Sequence, residues 1–195
     1  MGFDFKTLRG RLEALEESCQ IIKGMFSGEP FSFDGRHYKL EEALGNPKPV
    51  QAGGVPLLIA GEGRKVLLRI VARYADQWNA VGAPEKMKEL IDCIQAHGEK
   101  AGRDTDQIEK TVMMALCYTP DESVQNMVCE LLAGVYDSTP EAVRAQTMIG
   151  TKDQCLAKVD AYKKVGVTHF IFMSFQPYDT AGMQAFSEEV IPQAR

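Results

Sequence analysis

From residue 55 onward, short apolar runs alternate with amphipathic stretches of about ten to fifteen residues, and this alternation restricts the fold more than any other feature. "VPLLIA" reads as a strand over about residues 56–60, and residues 64–75 as a helix with Leu67, Ile70, Val71 and Tyr74 inward. "QWNAV", residues 77–81, is a second strand. Pro84 opens a helix whose inner face carries Met87, Leu90, Ile91 and Ile94, ending near "AGRD". "KTVMMALCYT", residues 110–119, is a third strand, and Asp121 caps a helix running to about Leu132. "GVYDSTPEAVRAQTMIG" reads as a loop and a short helix. Thr151 and Gln154 form a capping box for a helix to Val165. "THFIFMSF", residues 168–175, is a fourth strand, and Asp179 or Thr180 caps a last helix that ends at Pro192. Strands separated by helices in this way pair in parallel through right-handed crossovers. Their continuous apolar character fits a sheet covered on both faces.

Residues 1–54 are organised differently. Leu8, Leu12, Leu15, Cys19, Ile22 and Phe26 form one apolar stripe, which predicts a helix over 7–26 with Thr7 as its cap. Phe31, Phe33, Tyr38 and Leu40 flank "DG", a hairpin signal. The Pro- and Gly-rich stretch from Gly45 to Gly54 reads as an irregular crossing loop. The expectation is a single domain over 1–195, with helix, hairpin and loop in 1–54 and four βα units in 55–195.

The chain has 195 residues and a net charge of −5. That balance argues against nucleic acid or an anionic membrane surface as the main partner, because both attract a basic face. No apolar run approaches the roughly 20 residues of a membrane span, and the charged start "MGFDFKTLRGRLEALEE" has no signal core, so the expected location is cytoplasmic. Cys19, Cys93, Cys117, Cys129 and Cys155 include no C-x-x-C pair and read as small reduced core residues. His37, His97 and His169 lack metal-ligand spacing, so no metal is expected.

"IAGEGRK", residues 59–65, joins the first strand to its helix. A helix start offers unpaired N–H groups and a positive dipole end, glycines admit a phosphate close to the backbone, and Arg64 and Lys65 add charge. Glu62 counts against an anion, and Gly-x-Gly falls short of the dinucleotide fingerprint. The residues therefore allow either an anion site or a plain tight turn.

With "YADQWN" behind that turn, the segment "PLLIAGEGRKVLLRIVARYADQWNAVG" resembles the luciferase-like monooxygenase superfamily, in particular its deazaflavin-dependent oxidoreductases. "RLEALEESCQIIKGMFSGEPFSFDGRHYKLEEA", "AGRD", "GVTHFIF" and "FSEEVIPQAR" extend the likeness over nearly the whole chain. The resemblance implies a (β/α)8 barrel of the TIM type, and such barrels take about 250 residues. The four strands here correspond to its C-terminal half, with an N-terminal helix and a small hairpin added. It implies the deazaflavin coenzyme F420, with FMN as the alternative, and a small-molecule substrate. The implied cofactor contacts are Ile59, Ala60, Gly61, Glu62 and Gly63, with Asn79 at the end of the next strand. Ala60 departs from the family's usual glycine.

Trp78 reads first as packing, Asp76 as a cap or brace at the helix–strand junction, Met113 and Met114 as core and layer residues, and His169 as structural. Ser174 is a candidate contact, and Arg36 and His37 are candidates for a substrate entrance. No catalytic residue is assigned. Four strands cannot close an eight-stranded barrel. The open edges imply a homo-oligomer, a partner chain completing the barrel, or an incomplete form. The alternative function is a non-catalytic half-barrel binding or assembly protein; an unrelated phosphate-binding protein would not require Tyr-Ala-Asp-x-Trp-Asn.

Overall fold

The computed structural model describes residues 5–174 and 179–194. Helix α1 (Leu8–Met25) is capped by Thr7, whose hydroxyl accepts the Gly10 amide at 3.2 Å. Cys19 is the buried centre of its apolar stripe, whereas Leu8 at its start is exposed. The hairpin pairs β1 (Phe31–Asp34) with β2 (Lys39–Ala43) in antiparallel fashion. Its turn is fastened to α1 because the Glu17 carboxylate accepts the amides of Arg36, His37 and Tyr38 at 2.8, 2.9 and 3.0 Å. Those bonds hold the Glu17 carboxyl below its ordinary value, against the opposing push of desolvation.

The main sheet contains β3 (Leu58–Ala60), β4 (Gln77–Ala80), β5 (Glu109–Tyr118), β6 (Met148–Gly150) and β7 (His169–Met173), and every pairing in it is parallel. The four expected strands are β3, β4, β5 and β7. The fifth, β6, falls in the stretch that reads as loop and short helix. Its cause lies in β5, which at ten residues outruns its neighbours. β4 pairs with Glu109–Val112 and β7 with Thr111–Ala115, so Leu116–Tyr118 are left for β6. Three buried residues are too few to show a period of two.

The helices are α2 (Leu67–Tyr74), α3 (Pro84–Ala101), α4 (Glu122–Tyr136), α5 (Pro140–Gln146), α6 (Lys152–Lys164) and α7 (Thr180–Glu189), followed by a 3-10 turn over Ile191–Gln193. The capping box of Thr151 and Gln154 is present at α6, and Asp179 caps α7 by accepting the Gly182 amide at 2.9 Å. α2 starts at Leu67 rather than at 64, because 64–66 form a turn. α4 continues past Leu132 to Tyr136.

Strand alternation separates two faces. Ile59, Trp78, Ala80, Val112 and Met114 join Leu68, Ile70, Val71, Leu90, Ile94 and Tyr162 in the principal core beneath the helices. Each such large side chain contributes about 1.5–3 kcal/mol through burial. Ala60, Asn79, Thr111, Met113 and Ile171, in register across the strands, share the opposite face, the concave inner face of a half-barrel. A second cluster of Ala115, Cys129, Leu132, Ala133, Val143 and Ile149 shows that α4 and α5 pack on this inner face at the C-terminal end of β5.

Asp76 is a brace. Its carboxylate accepts Lys23 Nζ of α1 at 2.8 Å and the Leu57 amide ahead of β3 at 2.8 Å. Desolvation pushes its carboxyl up, and the Lys23 and Leu57 hydrogen bonds outweigh that push, so its pKa lies below the ordinary aspartate value. A carboxyl with a depressed folded-state pKa stabilises the fold above its ordinary value, near 3.9, and loses that contribution as pH falls through the folded-state value. Lys23 and Asp76 are both more than one-third exposed, so the ion pair itself contributes no more than about 1 kcal/mol. Asp76→Ala, which also strips the Leu57 amide of its acceptor, is expected to lower stability at pH 7 by about 1–3 kcal/mol. Urea unfolding should show the gap from the unsubstituted chain closing below about pH 4.

Candidate functional site

The site is built where β3 hands over to α2. Gly61 takes φ +130°, a region that favours glycine. Its amide donates to the Asn79 carbonyl at 2.9 Å and its carbonyl accepts Trp78 Nε1 at 2.9 Å. Both polar groups of Gly61 are thereby used, and the turn is tied to β4 at two points. Trp78 is fully buried on the helix face of the sheet. It is a packing residue, as expected, and also the donor that holds the turn. A buried indole N–H needs an acceptor, and that requirement was the available signal for this second role.

Beyond the pinned glycine, the amides of Glu62, Gly63, Arg64, Lys65 and Val66 find no hydrogen-bond partner among the described residues. Val66 at the start of α2 supplies no side-chain cap. Successive N–H groups without a protein partner ahead of a helix are donors open to water or to an anion. Glu62, which argued against an anion, is paired with Lys86 Nζ at 2.6 Å. Arg64 is drawn to Glu89 at 2.6 Å, while its carbonyl meets His97 Nε2 at 2.8 Å and accepts the Cys93 thiol at 3.4 Å. The Lys65 ammonium has no salt-bridge partner among the described residues.

Asn79 is 7% exposed and stands on the inner face beside Ala60. Its Oδ1 accepts the Thr111 hydroxyl at 2.7 Å, which leaves Nδ2 as the group available to donate. Ala60, Gly61, Glu62, Gly63 and Asn79 therefore come together at the C-terminal ends of β3 and β4. Ile59 does not join them through its side chain. It is 4% exposed and packs into the core on the other face, because it is in register with Trp78. Thr111 and Lys86 escaped the sequence reading, since each acts only through a partner distant in the chain.

The family pattern of the luciferase-like monooxygenases matches residues 2–135. The chain belongs to the luciferase-like monooxygenase family. Two relatives in that family are F420-dependent glucose-6-phosphate dehydrogenases. The one from Mycobacterium leprae (strain Br4923) is 24% identical over 95% of this chain and 61% of its own. The one from Kineococcus radiotolerans is 25% identical over 100% of this chain and 64% of its own. An F420-dependent secondary alcohol dehydrogenase, solved in complex with an F420-acetone adduct, superposes with a TM-score of 0.83 at 20% identity, covering 98% of this chain and 64% of that one. The coenzyme F420-dependent tetrahydromethanopterin reductase from Methanopyrus kandleri does so with a TM-score of 0.77 at 17% identity, covering 94% and 64%. The chain thus spans less than two-thirds of the curated relatives it matches, and its fold is the corresponding part of the luciferase-like barrel.

The remaining candidates lie apart from the turn. Ser174 follows β7 and borders an apolar groove together with Asp179 and Met183. His169, at the start of β7, pairs with Glu109 at 3.3 Å on the opposite end of the sheet. Arg36 and His37 both contact Glu13 of α1, at 3.0 and 3.2 Å. Cys19 and Cys155 are buried, which pushes each thiol up to about 11.

Proposed function

We propose that this chain binds the phosphate-bearing tail of the deazaflavin coenzyme F420 and belongs to an oxidoreductase that uses it, with FMN as the alternative cofactor. The observation that carries the reading is the run of five amides, residues 62–66, without a partner among the described residues, beside a glycine turn pinned by Trp78 and Asn79. The F420-dependent relatives support the choice of cofactor. In this reading Lys65 would supply the counter-charge and the amides hydrogen-bond donors to the tail, Glu62 is held off by Lys86, and Asn79 Nδ2 would donate from the inner face. When bound, the deazaflavin supplies hydride transfer with a small-molecule substrate. The part this chain plays is to hold and position the cofactor's tail.

β3 and β7 are each paired along a single edge among the described residues. In this reading, further strands from a second copy or a partner chain close the barrel. No helix among the described residues is long and apolar enough to cross a membrane, and the proposed setting is the cytoplasm.

Fluorescence titration of the purified chain with F420 and, separately, with FMN tests the reading. Saturable F420 binding is expected, and a folded sample that binds neither would sink it. Lys65→Ala, an exposed change with no packing role, is expected to weaken F420 binding about three- to tenfold, with a shallower salt dependence. Size-exclusion chromatography with light scattering addresses the open edges. A compact, stable monomer would exclude obligate assembly.

A further inference from the structure

A groove of about 430 Å³ opens at the C-terminal ends of β5 and β7, the end of the sheet that also carries the Ala60–Gly63 turn. Its volume lies within the usual range for small-molecule sites, about 300–1,000 Å³. Leu116 of β5, Val124, Val128 and Leu131 of α4, and Met183 of α7 form its apolar walls. Ser174 and Asp179 supply polar side chains. A few polar groups set in an apolar wall orient a ligand that is itself mostly apolar.

The exposed side of α4 extends this surface. Met127, Leu131 and Val135, spaced four apart, are 60%, 68% and 67% exposed and all line the groove. One exposed apolar side chain is ordinary, but a row of three along a groove marks a binding surface.

Charge narrows the occupant. No lysine, arginine or histidine lines the groove among the described residues. The sequence from 111 to 143 contains none, whereas Asp121, Glu122, Glu130, Asp137 and Glu141 all fall within it. A phosphate or carboxylate bound here would meet no cation among the described lining residues and would face the Asp179 carboxylate; Arg144 of α5 reaches α4 but is engaged by Gln125 and Asn126, which do not line the groove. The acids within 111–143 oppose a second copy docking face to face through α4.

We propose that this groove receives the substrate, and that the substrate is an uncharged, mostly apolar small molecule rather than a sugar phosphate. The inference rests on the oxidoreductase reading for the word substrate, while the ligand class rests on the groove alone.

Calorimetric titration of the chain without cofactor, using 1-octanol, octyl phosphate and glucose 6-phosphate, tests it. Octanol is expected to bind saturably, octyl phosphate at least about tenfold more weakly, and glucose 6-phosphate not at all. Leu131→Asp, at an exposed position, is expected to abolish octanol binding while leaving the thermal melt and the F420 titration unchanged. Octyl phosphate binding as tightly as octanol, or glucose 6-phosphate competing with octanol, would overturn the assignment. So would octanol binding that survives Leu131→Asp, or a Leu131→Asp change that splits a dimer without affecting octanol, which would make the groove a protein interface. Octanol binding without F420 binding would overturn the oxidoreductase reading and uphold the ligand class.

Discussion

Trp78→Ala is expected to lower stability by about 3–5 kcal/mol, the largest loss among the substitutions considered. The side chain is fully buried in the principal core, so its removal leaves a cavity under β3, β4 and α2. It also strips the Gly61 carbonyl of the indole donor. Trp78→Phe separates the two effects. The ring volume is largely kept and only the hydrogen bond is lost, so the expected cost falls to about 1–2 kcal/mol. F420 binding should still weaken, because the turn is then tied to β4 at one point instead of two. Urea unfolding followed by far-UV circular dichroism measures the first quantity, and cofactor titration the second. Trp78→Phe with unchanged cofactor affinity would remove the indole from its role in holding the turn. Trp78 is the sole tryptophan in the sequence, so its fluorescence in the unsubstituted chain reports on this turn.

The second large effect is expected from Gly61→Ala. A side chain at φ +130° is strained, at about 1–3 kcal/mol, and a Cβ there would stand 2.4 Å from Leu67 Cδ2. The leucine end can swing aside, but the backbone cannot relax without breaking the bonds to Asn79 or Trp78. The turn should therefore shift, and F420 binding should be lost while the helical circular dichroism signal persists. Gly63→Ala is the control. Its Cβ would lie 3.2 Å from Leu67 Cβ with no left-handed φ to maintain, so a smaller change is expected. Equal behaviour of the two variants would contradict the geometry described for Gly61.

These positions show what was legible in the sequence. α1, α3, β4 and α6 were, because each carries its period and caps locally: Thr7 and the stripe through Cys19, Pro84 with Met87, Leu90, Ile91 and Ile94, and the Thr151 capping box. The start of α2 was not, because Arg64 and Lys65 are good helix formers and only the tertiary turn keeps them out of the helix. β6 was not, because its existence depends on the last three residues of β5, some thirty positions earlier. The inward packing of α4 was not, because its apolar residues serve two surfaces, Cys129 and Leu132 against the sheet and Met127, Leu131 and Val135 along the groove. At the site, Gly61 and Gly63 stood out as residue types. The sidedness that sends Ile59 into the core and Asn79 to the inner face required the strand register.

β3 is three residues long and paired only with β4 among the described residues, whereas β5 has three neighbours. Amide hydrogens along such a sheet exchange unequally, slowest where strands are flanked on both sides and fastest at a short edge. The β3 amides and those of the adjoining turn are then the first to trade with deuterium in the free chain. An anion held by residues 62–66 would close that fraying end, so the gain in protection should be concentrated there and nearly absent along β5. Exchange measured with and without F420 would locate the ligand by which amides slow down, without any enzymatic turnover.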